Sequence, residues 1–424
     1  MSSSMISRRL ALAAMTAAAL CASPAVAEPR LPAVDAVLQP LVDQGLWSGS
    51  VILVLKDGKV VHSSAAGKRD QATGDPMRPD TIFRAFSMSK PITAVAMMIL
   101  YDQGKWRPED PITRFLPELA GVKVFKGMGP DGKPILEAPA RMPTMRELMT
   151  HTAGFSYGMG RGYVDDQYKA LKVMDAPDGE TFIARLAQVP LAYEPGTQWM
   201  YSASVDVQGA ILQRITGQRL DDFMQAKILG PLKMRDTGFV VPPEKRSRFA
   251  NLYLLSGGKL GPMPPGSGLF YNTYEQRPGF PSGGGGMVTT AGDYARFGQM
   301  LLNGGTLGRA RIISPAAAKL MTSNQLPAAV VDKDFTNGWQ RLRAGYQHGY
   351  DGVVVTDPVK GATAMGKDSY MWDGAAGTWF WVDPERKVVF VGMINQFNLQ
   401  KLPNHEELSQ QAIAKVWPSS QARQ

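Results

Sequence analysis

Two hairpin patterns, one near each end of the 424-residue chain, constrain the fold more than any other feature. Residues 50–64 contain two β-prone runs on either side of Asp57-Gly58, and residues 378–394 contain two more around a turn at 383–386. Asp-Gly between such runs is a strong hairpin signal. The segment between the hairpins is mainly helical in pattern, so we expect an α/β (α+β) fold. Its antiparallel sheet is formed from both chain ends and flanked by helices, with a mainly helical lobe inserted.

Apolar periodicity and capping residues delimit the predicted helices. Gly217 follows one of them, at the position where glycine commonly ends a helix. The predicted helices cover residues 33–44, 87–104, 145–150, 178–187, 205–216, 220–228, 291–303 and 405–416. Glycines and prolines mark residues 122–142 as a surface excursion. These patterns predict a sheet domain, residues 28–86 and 285–424, and a mainly helical domain with loop excursions, residues 87–284.

The first residues have the three parts of a secretory signal. Arg8-Arg9 precede an apolar stretch, residues 10–20, which is followed by Ala25-Val26-Ala27. This pattern predicts a signal peptide, residues 1–27, cleaved after Ala27 to give a periplasmic or secreted protein. The apolar stretch is too short for a permanent membrane span. No later segment is long and apolar enough to be one, and the export route, general or twin-arginine, stays open.

The composition argues against several kinds of partner and against a disulfide. Signal cleavage removes Cys21, the single cysteine, so the mature chain has neither a disulfide nor a thiol nucleophile. The formal charge of +9 is spread along the chain without a dense basic block, so we expect no nucleic-acid partner. Histidine pairs at helical spacing and clustered carboxylates are both missing, so we expect no metal and no cofactor. The sequence does not predict an oligomeric state.

Ser87-Met88-Ser89-Lys90 opens an apolar run, residues 91–100, that has the pattern of a buried helix. The spacing stacks the Ser87 hydroxyl and the Lys90 amine on one helix face, about one turn apart. The amine can take the hydroxyl proton only when it is neutral, which requires its pKa to fall by roughly 3 units from ~10.4. A helix N-terminus favours an alkoxide and disfavours an ammonium. The pattern therefore predicts a serine nucleophile with a lysine base.

Two distant segments supply further candidate groups. Tyr201 stands just before a predicted helix and could accept the serine proton as a phenolate or relay it with Lys90. Residues 372–377 include two glycines and precede a strand, where backbone N–H groups can approach a bound carbonyl. His151, in residues 148–154, is interpreted as structural, because lysine and tyrosine already fill the role of the base.

Three other motifs indicate a function less specifically. Residues 154–158 match the Gly-x-Ser-x-Gly nucleophile elbow, with Ser156 as nucleophile, but the elbow needs a strand before it and a helix after it. Here a helical pattern precedes, so we interpret the loop as structural. The four glycines of 283–286 lack the spacing and lysine of a phosphate loop and indicate a turn or strand close to the site. Residues 270–274, together with Trp339, Trp372 and Trp379, either wall an acyl or alcohol pocket or pack in the core.

These motifs, in this order, resemble those of the serine β-lactamase-like hydrolases. The resemblance is closest to family VIII carboxylesterases, which are similar to class C β-lactamases and penicillin-binding proteins. The matching segments are 87–90, 148–154, 195–202, 284–290 and 372–382. The resemblance implies a β-lactamase/transpeptidase-like fold with Ser87 as the nucleophile and Lys90 and Tyr201 as the base system. It also implies an oxyanion hole made by the N–H groups of Ser87 and Ala375. We further predict substrate contacts from Trp372, Asp373, Gly374, Phe155 and Tyr271.

The chain departs from the β-lactamase motifs at two places. Ala203 stands where β-lactamases have asparagine, and Trp372-Asp373-Gly374 stands where they have Lys-Thr-Gly. The second change removes a cationic anchor for the substrate carboxylate and adds repulsion if Asp373 is ionised and points inward. Family VIII esterases typically have Trp-Gly-Gly there, so Asp373 is unusual among them too.

The resemblance and its departures together predict an exported carboxylesterase. It hydrolyses neutral short-chain esters through a Ser87 acyl-enzyme, and a small-molecule ester is its expected partner. A class C-like β-lactamase or a D-Ala peptidase of the penicillin-binding-protein type is the alternative. A third possibility is a penicillin-binding sensor that is acylated once and does not turn over.

Overall fold

The computed structural model describes residues 29–264, 273–333, 335–337 and 340–419. The predicted signal peptide, residues 1–27, lies outside the described residues, as do Phe270, Tyr271 and Trp339. The α-helices are α1 (Pro32–Asp43), α2 (Ser89–Asp102), α3 (Met145–Met149), α4 (Tyr163–Ala170), α5 (Gly179–Leu186), α6 (Ser204–Thr216), α7 (Leu220–Met224), α8 (Ala291–Leu302), α9 (Pro315–Met321) and α10 (His405–Val416).

Most β-strands belong either to one large sheet or to small hairpins. They are β1 (Gly49–Lys56), β2 (Lys59–Gly67), β3 (Phe83–Arg84), β4 (Val124–Met128), β5 (Pro134–Glu137), β6 (Tyr253–Ser256), β7 (Lys259–Pro262), β8 (Val288–Thr289), β9 (Thr306–Leu307), β10 (Ala310–Arg311), β11 (Phe335–Asn337), β12 (Gln340–Leu342), β13 (Tyr346–His348), β14 (Val353–Val355), β15 (Tyr370–Gly374), β16 (Thr378–Asp383), β17 (Val388–Met393) and β18 (Gln396–Asn398).

The large sheet has seven strands in the order β13-β14-β15-β16-β17-β1-β2. All of its neighbouring strands are antiparallel, and β1 pairs with β17 in a register that sets Val51 opposite Met393. This pairing joins the hairpin near the start of the chain to the hairpin near its end. The α/β (α+β) prediction of a sheet formed from both chain ends is therefore confirmed.

The two faces of the sheet pack against different helices. Phe380 of β16 contacts Tyr294 of α8 edge-on, with ring centroids 4.7 Å apart. On the next residue of β16, the Trp381 indole donates to Ser409 of α10 at 3.4 Å. Because successive strand residues point to opposite faces, α8 covers one face of the sheet and α10 covers the other. Helices on both faces bury β16 and β17 completely, which explains their nearly continuous apolar sequence.

Each predicted helix is present, with ends that differ by one or two residues in most cases. Gly217 ends α6 in a left-handed conformation with φ +68°. The helix predicted over 220–228 ends earlier, at Met224, and continues as one π-helical turn, Gln225–Leu229. Residues 122–142, predicted as a surface excursion, are mostly exposed and contain the β4–β5 hairpin. The boundaries of the two predicted domains stay a prediction.

The mainly helical part of the chain surrounds α2. Residues Ser89–Leu100 of this helix are all buried, and its neighbours include α6, α7 and α9. A helix that is apolar on every side is stable only inside a core, which accounts for the absence of a polar face on α2. Over the described residues, no α-helix combines the length and apolar character needed to cross a bilayer.

Candidate active site

Ser87 lies on a 3₁₀ turn, Phe86–Met88, that leads directly into α2. The sequence analysis placed the serine at the start of the helix itself, whereas α2 begins at Ser89. The preceding residue, Phe86, has φ +45°, a left-handed conformation that is uncommon for a bulky side chain. Backbone strain of this kind persists where the surrounding structure holds it, and it often marks functional sites.

The Ser87 hydroxyl has two polar partners from different parts of the chain. Lys90 Nζ lies 3.2 Å from Ser87 Oγ, and the Tyr201 hydroxyl donates to the same oxygen at 2.5 Å. Tyr201 reaches the serine from the irregular loop that precedes α6, 114 residues further along the chain. The structure therefore brings together the three side chains that the sequence motifs nominated.

The environment of Lys90 favours its neutral form. Its side chain is completely buried, and burial lowers its pKa to about 8 although the charges of Asp206, Asp351 and Asp373 act to raise it. Burial also raises the pKa of Tyr201 well above its ordinary value; the hydrogen bond to Ser87 acts in the opposite direction. Near neutral pH the phenol therefore keeps its proton, while an appreciable fraction of Lys90 is uncharged.

A network around Gly284 holds the lysine in place. Lys90 Nζ donates to the Gly284 carbonyl at 2.5 Å, and the Gly284 N–H donates to Asp206 Oδ1 at 3.1 Å. The Ser282 hydroxyl donates to the same carboxylate oxygen at 2.5 Å. A Cβ at position 284 would lie 2.6 Å from the Tyr157 hydroxyl oxygen and 2.7 Å from Asp206 Oδ2, so only glycine fits.

The sequence analysis placed the glycine run close to the site, but it did not identify Asp206 or Tyr157. Asp206 is an acid in the middle of a buried segment of α6, with both neighbours in sequence also buried. A buried acid of that kind needs polar partners. That pattern was visible in the sequence as a single aspartate between two valines, Val205 and Val207, shortly after Tyr201.

The turn between β15 and β16 packs against the peptide that precedes the serine turn. The Thr378 hydroxyl donates to the Ala85 carbonyl at 3.1 Å, and a Cβ at Gly374 would overlap that same carbonyl. The Gly377 N–H closes the turn by donating to the Gly374 carbonyl at 2.8 Å. The turn that carries Ala375 is thus fixed beside Ala85, two residues before Ser87. The predicted oxyanion-hole role of the Ser87 and Ala375 N–H groups stays a prediction.

Trp372 and Asp373 point to opposite faces of β15. Trp372 pairs with Phe380 on the α8 face, and its indole ring lies 5.7 Å from the Tyr201 ring. Asp373 pairs with Trp379 on the α10 face, where its carboxyl is hydrogen-bonded to Glu406. The inward orientation on which the expected repulsion depended is therefore not found. The Asp373 charge still acts at a distance, since it raises the pKa of Lys90.

The remaining nominated residues lie elsewhere. Phe155 is 3% exposed and packs in the main hydrophobic core, so its predicted substrate contact stays a prediction. Tyr271 lies outside the described residues. The Ser156 hydroxyl donates to the Asp165 carboxylate, and α3 rather than a strand precedes its loop, so residues 154–158 do not form a nucleophile elbow. Across the described ranges, no group of histidine, cysteine and acidic residues could hold a metal ion.

The fold and this cluster of serine, lysine and tyrosine define a class of serine hydrolases. The family model "Beta-lactamase" matches residues 34–414, so the chain belongs to the beta-lactamase family. Esterase EstB of Burkholderia gladioli is 33% identical over 371 residues, which cover 82% of this chain and 86% of EstB. The predicted membership of the serine β-lactamase-like hydrolases is confirmed.

Solved structures agree with this family assignment. EstCE1, described as a hydrolase with promiscuous acyltransferase activity, superposes with a TM-score of 0.75 at 26% identity, covering 90% of this chain and 97% of EstCE1. A family VIII carboxylesterase superposes with a TM-score of 0.67 at 19% identity, covering 91% and 97% of the two chains. The predicted β-lactamase/transpeptidase-like fold is confirmed, and the protein is a serine ester hydrolase.

Proposed function

We propose that this protein is a carboxylesterase that hydrolyses neutral short-chain esters through an acyl-enzyme on Ser87. The observation that carries the proposal is the position of Ser87 Oγ, 3.2 Å from Lys90 Nζ and 2.5 Å from the Tyr201 hydroxyl. A nucleophilic serine needs a neighbouring base, and a second group must later protonate the departing alcohol.

We assign different tasks to the two partners of the serine, because burial lowers the pKa of Lys90 and raises that of Tyr201. Neutral Lys90 accepts the Ser87 proton as Oγ forms a bond to the ester carbonyl carbon. The carbonyl oxygen becomes an oxyanion that the Ser87 and Ala375 N–H groups bind. When the tetrahedral intermediate collapses, the bond to the alcohol breaks and Tyr201 gives its proton to the leaving oxygen. Lys90 then returns a proton to Tyr201, and water releases the acid in a second round.

The preference for neutral esters rests on the strand that borders the site. Where β-lactamases present lysine and threonine to a substrate carboxylate, β15 presents the buried indole of Trp372. An indole offers apolar surface and one N–H donor but no positive charge. An anionic substrate therefore gains little at this position, whereas a neutral acyl or alkyl group loses nothing.

Replacing the nucleophile tests the proposal. We expect Ser87→Ala to abolish hydrolysis of a short-chain nitrophenyl ester, because no acyl-enzyme can form. Ser156→Ala is the matched control: it removes a buried serine hydroxyl that lies outside the catalytic cluster, and it should retain most of the activity. Mass spectrometry of the wild-type protein after brief exposure to the ester should detect an acyl adduct that is missing in Ser87→Ala. Unchanged turnover in Ser87→Ala would refute the assignment.

The same assay separates the alternatives. Nitrocefin hydrolysis as efficient as ester hydrolysis would favour a class C-like β-lactamase, and efficient cleavage of a D-Ala amide would favour a peptidase. A permanent adduct, with product limited to one equivalent of enzyme, would favour a sensor that does not turn over. These outcomes are distinguishable because all three begin from the same serine acylation but differ in the substrate or in deacylation.

We also propose that residues 1–27 direct export to the periplasm or the medium. The support is the sequence pattern alone: two arginines, a short apolar stretch and the small residues before Glu28. Expression of the full chain followed by fractionation and N-terminal sequencing tests this proposal. We expect a mature protein that begins at about Glu28, and a full-length protein confined to the cytoplasm would contradict it.

A further inference from the structure

The loop that delivers Tyr201 has no regular secondary structure. Residues 197–202 lie outside the helices and strands, so no repeating ladder of hydrogen bonds fixes the phenol. Catalysis nevertheless needs the Tyr201 hydroxyl at a defined place, and a displacement of about 1 Å can cost roughly 10²-fold in rate. Some other part of the molecule must therefore hold this loop.

His151, just beyond the end of α3, contacts four consecutive residues of that loop. Its carbonyl accepts the Met200 N–H at 2.9 Å, and its Nδ1 lies 3.1 Å from the Ser202 hydroxyl oxygen. Its ring lies 5.1 Å from the Tyr201 ring and 6.2 Å from the Trp199 ring. One completely buried residue thus contacts the residues on both sides of Tyr201 as well as Tyr201 itself, through its backbone carbonyl at Met200 and through its ring at Tyr201 and Ser202.

The backbone of His151 is in a conformation that is uncommon for any residue other than glycine. Its φ is +58°, in the left-handed region, which glycine adopts without strain and which asparagine, aspartate and histidine adopt more often than other residues. Backbone preference alone therefore does not select histidine over glycine or asparagine at this position. The contacts of its ring favour histidine, because neither glycine nor asparagine could pack against Tyr201 in the same way.

The ring of His151 is itself supported on its far side. His348, at the end of β13, stands edge-on to it with ring centroids 5.6 Å apart, and His348 Nδ1 lies 2.7 Å from the Gly349 carbonyl. Burial lowers the pKa of both histidines, that of His348 to about 4, so both rings are neutral at physiological pH. The neutral His151 ring can therefore pack against the phenol of Tyr201 without placing a positive charge beside Lys90.

We propose that His151 is the positioning residue for Tyr201, which holds the phenol against Ser87 through its ring and through its hydrogen bond to Ser202. The proposal rests on the proposed function, in which Tyr201 protonates the departing alcohol. It assigns a task to a histidine that takes no direct part in the proton transfers.

The leaving group of the substrate provides the test. A nitrophenolate departs without a proton, whereas an alkoxide from an alkyl ester needs one from Tyr201. We expect His151→Asn, which fits the left-handed backbone and retains a polar partner for Ser202, to slow alkyl-ester turnover about 10²-fold. Nitrophenyl-ester turnover should fall much less. The matched control is His405→Asn, which removes a partly buried histidine packed on Trp379 of the sheet, away from Tyr201.

A double-mutant cycle separates the loss of Tyr201 positioning from a general loss of active-site structure. In the Tyr201→Phe background, His151→Asn should have little further effect on alkyl esters, because the group that it positions is gone. If His151→Asn does not fold, Ser202→Ala removes the partner of Nδ1 and should show the same dependence on the leaving group, at smaller amplitude. Ser204→Ala is the control for this variant, because it removes only the other hydroxyl partner of Ser202, at 2.8 Å.

Equal losses on both kinds of ester, or additive losses in the cycle, would overturn the inference about His151. That result leaves the proposed function intact if Ser87→Ala is still inactive and Tyr201→Phe still discriminates between the esters. Full activity of Ser87→Ala would instead overturn the proposed function itself. The two failures are therefore distinguishable.

Discussion

The carboxylate of Asp206 sets the pH at which Lys90 becomes a base, and replacing it with asparagine measures that effect. Burial lowers the Lys90 pKa to about 8, and the Asp206 charge is the strongest influence that acts against burial. Asp206→Asn removes the charge but keeps an oxygen that can accept from Ser282 and Gly284. The amide nitrogen then takes the place of Oδ2 and faces the Tyr157 hydroxyl, which can accept from it.

The expected shift follows from the sign of the interaction. A negative charge near an amine stabilises the ammonium, so its removal lowers the amine pKa. Opposite charges within about 4–6 Å typically shift a pKa by roughly 1–3 units. We therefore expect the pKa of Lys90 to fall by at least about one unit, which corresponds to about 1.4 kcal/mol. Because the active form has a neutral lysine, activity should appear at lower pH in the variant.

The assay is the pH dependence of kcat/KM on an unionisable ester. In the wild type, kcat/KM should rise with pH through about 8, and in Asp206→Asn it should rise through about 7 or below. The control is Asp293→Asn, which removes another buried carboxyl, one that accepts from the Thr237 hydroxyl and does not act on Lys90. An unchanged acid limb in a folded Asp206→Asn variant, or the same shift in Asp293→Asn, would refute the reasoning.

Further predictions concern close packing and acid stability. Gly284→Ala should reduce kcat at least about tenfold and lower the melting temperature, since its methyl group displaces the carbonyl that binds Lys90; a fully active variant would contradict the steric argument. Gly374→Ala, which forces β15 away from Ala85, should lower kcat for every ester, and unaltered acylation would contradict it. Below pH 6.5 the unfolded chain binds a proton at His348 that the folded protein takes up only near pH 4. This proton should therefore contribute about 3 kcal/mol to the loss of folding stability across that interval, to which buried His405 and His151 add in the same direction. By urea unfolding, His348→Gln should lose about 3 kcal/mol less than the wild type over the interval, and an identical loss would contradict the assignment.

The predictions from sequence were most accurate where the determinants are local. Asp57-Gly58 with its flanking β-prone runs forms the β1–β2 hairpin as expected. Gly217 ends α6 because glycine adopts the left-handed conformation at a helix end with less strain than other residues. Ser87 and Lys90 are three residues apart, so a helical turn alone brings their polar atoms close together. Short-range geometry of this kind depends little on the rest of the molecule.

Long-range features of the site depended on motif resemblance or were not foreseen. Tyr201 was a candidate from its place before a predicted helix, and only the resemblance assigned it to the base system. Its 2.5 Å approach to Ser87 depends on how a distant loop is held. Asp206 and the carbonyl of Gly284 were not nominated. Their contribution arises only when α6 and the glycine run converge on the lysine, and no local pattern encodes that convergence.

Asp373 shows most clearly which features of the site the sequence determines and which only the tertiary structure decides. The sequence by itself determined that an acid follows Trp372 and that successive strand residues face opposite ways. Only the tertiary structure decided which face is the active site, because β15 pairs with β16 in a register that aligns Asp373 with Trp379 and turns it toward α10. A shift of one residue in that register would have reversed both side chains. The register is set by packing of the whole sheet between α8 and α10, whereas the serine and lysine needed only one turn of helix.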